Sequence, residues 1–320
     1  MFALAAAGFA ACTSDDESIH DPLTPNPEPA SLPLTIEVAE NPMVNPDEAA
    51  NAPATRAAIT TASALSSFSI NYEYGTSHYT NGTPLTATKS EEGKWTADAV
   101  WPVGAQTINW YASSDGTFLL TDDANKDPYT SFTVEESAAN QKDLLVAKTS
   151  AKYSDNSGNV TFTFNHACTA LRFWVKKATN LADYTLSISG VRLCNVINQG
   201  QYFYDTSSWT LGSSRSSYTL YYGSAKTLGT TAYEALDASA APYLFMIPQT
   251  LTAWNHVTDI ATATAQTYIE IECTITGATS FSGTAYIPFG ATLAAGKQHD
   301  VKINIGKNSL YSSANTKIIP

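Results

Sequence analysis

The stretch VTFTFNHACTALRFWV, residues 160–175, decides the fold class. Its first half alternates strictly: Val160, Phe162, Phe164 and His166 share one parity, and Thr161, Thr163 and Asn165 the other. Successive side chains of a strand point to opposite faces, so a period of two writes one apolar and one polar face. The second half alternates as well, but Leu171, Phe173 and Val175 fall on the odd parity. One regular strand cannot change parity, so ACTA (167–170) predicts a bulge or a crossing.

The same signal recurs outward from this segment. SFSINYEY (67–74) sets Phe68, Ile70, Tyr72 and Tyr74 on one face, and TINWY (107–111) does so for Ile108 and Trp110. DYTLSIS and VRLCNV follow, with Ser189-Gly190 as the break between two strands. QYFYDTSSWTL (201–211) reads as a hairpin. YIEIECTIT (268–276) turns Ile269, Ile271, Cys273 and Ile275 inward, and HDVKINIG (299–306) does the same for Val301, Ile303 and Ile305. Turn clusters such as NGTP (81–84) and EEGK (91–94) separate the runs. Helical periodicity is confined to VEESAANQKDLL (134–145), enough for one or two turns. Many short strands between turns predict an all-β protein of antiparallel sandwiches. The polar stretch TSAKYSDNSGN (149–159) is the best boundary, giving an N-terminal domain over 57–150 and a C-terminal domain over 151–320.

Composition agrees. Charged residues are 14% of the 320, against about a quarter in an average domain. Polarity comes instead from Ser, Thr and Tyr, the profile of a secreted or surface all-β protein. The net charge of -12 is uneven, with -8 of it in residues 13–56. The remainder is near balance and offers no basic face, so nucleic acid is not an expected partner.

The leader has its own grammar. MFALAAAGFAAC (1–12) is apolar and ends in small residues before Cys12, like the end of a bacterial lipoprotein signal peptide, with Cys12 as the acylated residue. Phe9 stands where such signals usually carry Leu, and the basic n-region is missing. The acidic TSDDES behind Cys12 resembles the surface-export signal of Bacteroidetes lipoproteins. Acyl chains would hold the protein at the outer membrane. Eight of the 15 prolines lie between residues 22 and 53, which makes most of the segment 13–56 an extended tether. Between the proline runs, LPLTIEVAE alternates: Leu32, Leu34, Ile36 and Val38 form one apolar face, so residues 32–38 predict a strand that docks on the body. Arg56, followed by Ala57, is the only Lys or Arg before Lys89.

Catalytic signals are weak. The five histidines are scattered and make no metal-ligand spacing, and no phosphate loop or nucleophile elbow occurs. His166 and Cys168 share a parity, but packing explains a strand-buried pair better than a nucleophile. Glu270 and Glu272 lie on the face opposite the isoleucines and read as soluble surface. The expectation is no enzyme and no cofactor. Cys168, Cys194 and Cys273 read as small apolar residues, with one disulfide and a free thiol as the other reading. Trp209 and Tyr202–Tyr204 are the best aromatic candidates for a sugar-stacking platform, with core packing the better reading for most aromatics.

Five segments in order then carry a family resemblance: WTADAVWPVGAQTINWYAS (95–113), DLLVAKT (143–149), VTFTFNHACTALRFWV (160–175), FMIPQTL (245–251) and PFGATLAAGKQHDVKINIGK (288–307). Together they resemble the fimbrillins, or type V pilins, of Bacteroidales, the Mfa-like and FimA-like group. The resemblance implies two antiparallel β-sandwich domains of transthyretin-like, Greek-key type behind a flexible lipoprotein leader. It implies export as a lipoprotein through Cys12, and cleavage after Arg56 by an arginine-specific protease. Loss of the placeholder strand 32–38 would then let a strand from the next subunit fill the vacated groove. The physics of an exposed sheet edge favours the same outcome, since such an edge aggregates unless another strand pairs with it. The expected partners are other fimbrial subunits in a head-to-tail polymer, and a host or bacterial surface ligand if the subunit is a tip adhesin. The tail 308–320, with Leu310, Ile318 and Ile319 as plugs, is the candidate donor; the other reading makes it the last strand of its own domain. The alternative function is a permanently anchored surface lipoprotein that binds glycan or host ligand through aromatics.

Overall fold

Strict alternation in the sequence becomes a closed ring in the computed structural model, which describes residues 34–43, 61–74, 77–78, 84–97, 101, 107–119, 128–236 and 243–319. Six strands come first: β1 (Thr35–Glu40), β2 (Ser67–Tyr74), β3 (Ser77–His78), β4 (Leu85–Lys89), β5 (Trp95–Ala97) and β6 (Ile108–Ser113). The hairpin strands β7 (Thr117–Leu119) and β8 (Tyr129–Thr133) leave for another sheet, and β9 (Leu145–Ala151) and β10 (Asn159–His166) return. The sheet runs β3-β2-β4-β5-β1-β10-β9-β6, and β6 pairs again with β2. Seven strands thus close a barrel, with β3 as an appendage to β2. Every pairing around the ring is antiparallel except β1 with β10. The even-numbered residues of β10, Val160, Phe162 and Phe164, point inward with Phe68, Ile70, Ile108 and Trp110. Phe68 meets Phe162 and Phe164 edge-on at 5.6 and 5.1 Å between centroids, a favoured aromatic geometry.

The parity change at ACTA is a crossing. β10 ends in the barrel at His166, and β11 (Thr169–Lys177) opens a second core. There follow β12 (Thr185–Ile197), β13 (Gln199–Phe203), β14 (Ser208–Leu211), β15 (Arg215–Thr227), β16 (Glu234–Ala235) and β17 (Leu244–Met246). The last are β18 (Thr250–Leu251), β19 (Tyr268–Thr276), β20 (Phe281–Pro288), β21 (Ala291–Thr292) and β22 (Gln298–Ile305). One sheet centres on β11, flanked by parallel β22 on one side and by β16 and β17 on the other. A second runs β15-β12-β19-β20. Phe173 and Val175 of the first sheet and Ile188, Val191 and Ile271 of the second bury into one apolar cluster.

The structure corrects several expectations. The first sheet is a barrel, not a sandwich, because β6 and β2 find each other's free edges. A division between 150 and 151 falls inside that barrel, which extends through β10 to His166. In addition, the β7–β8 hairpin pairs through β8 with β13, in the order β14-β13-β8-β7, so a strand pair from the first half belongs to a sheet completed by the second. Ser189-Gly190 is no turn: β12 runs through it, with a register shift between Ile188 and Gly190. A Cβ on Gly190 would sit 3.0 Å from Glu272 Oε2, so glycine admits this neighbour and marks a bulge. Residues 134–144 form bends and turns without a helix, and Leu145 opens β9. The expected hairpin at 201–211 is present as β13–β14.

Candidate functional site

The site is the seat of β1 in the barrel wall. Thr35 through Glu40 pair in register with Asn159 through Phe164 of β10, six parallel pairs. Backbone bonds cap both ends: Thr35 N–H donates to Gly158 O, and Asn41 N–H to Phe164 O, each at 2.9 Å. The strand falls between Pro33 and Pro42, residues with no N–H to give a ladder. It is therefore shifted slightly toward the C-terminus of the expected span 32–38. Its other edge is held differently. β5 meets β1 through the single pair Ile36 and Trp95. A groove of ≈ 870 Å³ lies along that edge, lined by Leu34, Ile36, Val38, Lys89, Lys94 and Trp95.

Even parity turns Leu34, Ile36 and Val38 toward the barrel core, with Ile36 5% exposed and the other two partly buried. Glu40 has the same parity. A carboxylate on an apolar face requires partners, and it has two. Its Oε1 lies 3.0 Å from His166 Nε2, and its Oε2 accepts from the Ala62 N–H at 2.6 Å. On the far side of the ring, His166 Nδ1 lies 2.5 Å from Asp143 Oδ2. A carboxylate faces each nitrogen, so the imidazole can donate from both in its protonated form, while burial raises the pKa of the partner Asp143 as well. Burial by itself lowers the His166 pKa, but the hydrogen bond and charge of Asp143, reinforced by those of Glu40, hold it above the ordinary value. Ala62 opens a single 3-10 turn (Ala62–Ala64), so Glu40 also ties the chain entering β2 to the barrel.

The remaining expectations place as follows. Cys12, Leu32, Arg56 and Ala57 lie outside the described residues, as do residues 1–33. Leu34, Ile36 and Val38 are brought together. In the tail, Leu310 and Ile319 are fully buried in the second core and Ile318 packs against it. Tyr311 bridges to Tyr286 of β20, and Ile318 N–H donates to Leu310 O at 3.1 Å. Tyr202 and Tyr204 are buried, and half-buried Trp209 donates its indole N–H to Ala167 O at 2.8 Å, so this hairpin is packing and not an open platform. Cys168, Cys194 and Cys273 are free and buried, and burial pushes the Cys273 thiol up to about 12. Glu270 pairs with Arg192 at 3.4 Å on the outer face. Among the described residues, no group of three or more His, Cys, Asp or Glu is placed to hold a metal ion, and no helix is long and apolar enough to cross a membrane.

The Asp143–His166–Glu40 chain joins three distant segments and has no spacing signature in the sequence. One signal was readable: Glu40 continues the parity of Leu34, Ile36 and Val38, which places an acid on the inward face.

The fold defines a class before any name applies. It is the fold of a fimbrial protein from Bacteroides vulgatus, whose crystal structure matches with a TM-score of 0.53 at 18% identity, over 85% of this chain and 95% of that one. A candidate cell adhesion protein from Bacteroides ovatus matches with a TM-score of 0.48 at 14% identity, over 88% and 95% of the two chains. The profile of the fimbrillin-like family matches residues 54–319, and the chain belongs to that family. No curated protein matches it.

Proposed function

We propose that the chain is a surface fimbrial subunit or tip adhesin, exported as a lipoprotein through Cys12, cleaved after Arg56, and assembled by exchanging β1 for a strand of another subunit. Membership in the fimbrillin-like family supports a fimbrial or adhesive role at the cell surface. The observation that carries the exchange reading is the asymmetry of the β1 seat: six pairs to β10 on one edge, one pair and an open groove on the other. A strand held in this way closes the barrel yet is peptide-like in its attachment, which is how strand addition works between chains. The family match begins at residue 54 and so leaves β1 outside it, consistent with a removable leader.

The tail bears on the position in the polymer. Leu310 and Ile319 sit in this chain's own core, so donation by 308–320 would require their release. A subunit that receives a strand and retains its own tail occupies a terminal position, and this is the reading we favour for the tail. The decisive measurement is the N-terminus of the assembled surface protein, together with polymer formation by Arg56→Ala. An N-terminus at Ala57 and loss of assembly in the variant are expected. A lipidated Cys12 in assembled fimbriae, with normal assembly by the variant, would sink the proposal and favour a permanently anchored lipoprotein.

A further inference from the structure

We propose that the β1 seat selects its occupant by charge as well as by shape: it takes a strand with three alternating apolar residues and a carboxylate at the next inward position, and it rejects the segment 308–320 of a second copy. This rests on the exchange reading above. The apolar positions are those of Leu34, Ile36 and Val38, and the carboxylate is that of Glu40.

The selection lies in what the strand leaves behind. When β1 departs, His166 Nε2 and the Ala62 N–H both lose their acceptor. With the seat filled, His166 is 1% exposed at its side chain and tied to Asp143, which is 0% exposed, so under a seated strand the ring cannot turn to water without breaking a second buried bond. An apolar residue at this position would bury two unmatched donors, one of them charged, and such groups are more costly to orphan than an ordinary hydrogen bond is worth. An incoming Asp or Glu satisfies both. The ladder and apolar pockets accept any strand of suitable alternation, so the polar end is where wrong strands are penalised. The sequence NSLYSSANTKIIP (308–320) contains Lys317 and no Asp or Glu. The occupant is therefore a strand of a different subunit type, with the pattern apolar-x-apolar-x-apolar-x-acid.

The test uses the full chain cleaved at Arg56 and fluorescently labelled peptides, with uptake measured by anisotropy. The probes are residues 32–43 of this chain, the same peptide with Glu40→Asp, Glu40→Gln or Glu40→Leu, and residues 308–320. The parent peptide and Glu40→Asp should bind within a few-fold of each other. Glu40→Gln should bind roughly 10- to 100-fold more weakly, Glu40→Leu more weakly still, and 308–320 least. Binding of the Gln and Leu peptides equal to that of the parent would overturn the charge selection while leaving exchange intact. Tight binding by 308–320 would overturn the exclusion of a second copy. Failure of the parent peptide itself to enter the cleaved protein would overturn exchange and the selection together.

Discussion

Glu40 and His166 stand 126 positions apart in the chain, and their side chains meet at 3.0 Å. The contact joins the last residue of β1 to the last residue of β10, at the end of the one parallel pairing in the barrel. It makes the leader strand a polar as well as an apolar part of the wall, and it predicts a pH dependence for the stability of the seat.

The direction of that dependence follows from His166. Its folded pKa is raised, so its stabilising contribution is fully present below about pH 6.5 and is lost as pH rises through the folded value. In the uncleaved protein, Glu40→Gln should cost about 1.5–3 kcal/mol at the low end, the usual range for a bond to a charged group. The gap in Tm between wild type and variant should be widest near pH 6 and shrink toward pH 9. A gap independent of pH would mean that the contact is not charge-assisted.

Ile36 is the most buried side chain of β1. Ile36→Ala should destabilise the seat by about 2–5 kcal/mol, the usual cost of truncating a core residue. Hydrogen exchange resolves it: the amides of residues 35–40 should exchange faster than in wild type, while those of β12 and β19 stay protected.

Cleavage should act by removing a strand and not by releasing a lipid. A purified chain without acylation at Cys12 but with β1 in place should remain monomeric in size-exclusion chromatography. Cutting after Arg56 should then expose the β5 and β10 edges and allow association with strand-bearing partners. Polymerisation of the uncut, unlipidated chain would contradict this.

The tail should behave as core. Leu310 is fully buried, and Leu310→Ala should lower stability by about 2–5 kcal/mol in a denaturant titration. No loss would indicate a tail that is free in solution and available to donate.

Much of this was legible because parity is local. The inward faces of β6, β10, β19 and β22 could be read residue by residue, as could Phe68 and Ile70 of β2 and the crossing at ACTA. Ring closure could not, because Ser69 opposite Ser113 is a match between distant edges and leaves no trace in either strand's own period. The pairing of β8 with β13 escaped for the same reason, and so did the extension of the barrel past residue 150 through the pairings of β10 with β1 and β9. The bulge at Gly190 reads in sequence as a break between two strands, because a glycine that admits Glu272 looks like one that interrupts the chain. At the site, the apolar half of β1 was visible and its partners were not. An acid on an apolar parity announces that something must meet it, but not what.

The ring of seven has a consequence of parity. Strands that alternate up and down can close without fault only in even number, so an odd ring must contain one seam where two neighbours run the same way. Here the seam is β1 against β10. Reversing the strand in that slot would merely move the seam to the β5 side, so backbone direction alone gives an arriving strand no compass. What distinguishes the two headings is the asymmetry of the slot's ends, with Gly158 at one and His166 with Ala62 at the other. If strands exchange in this slot as proposed, the buried imidazole would act as a pole, favouring the heading that brings a strand's acid to His166.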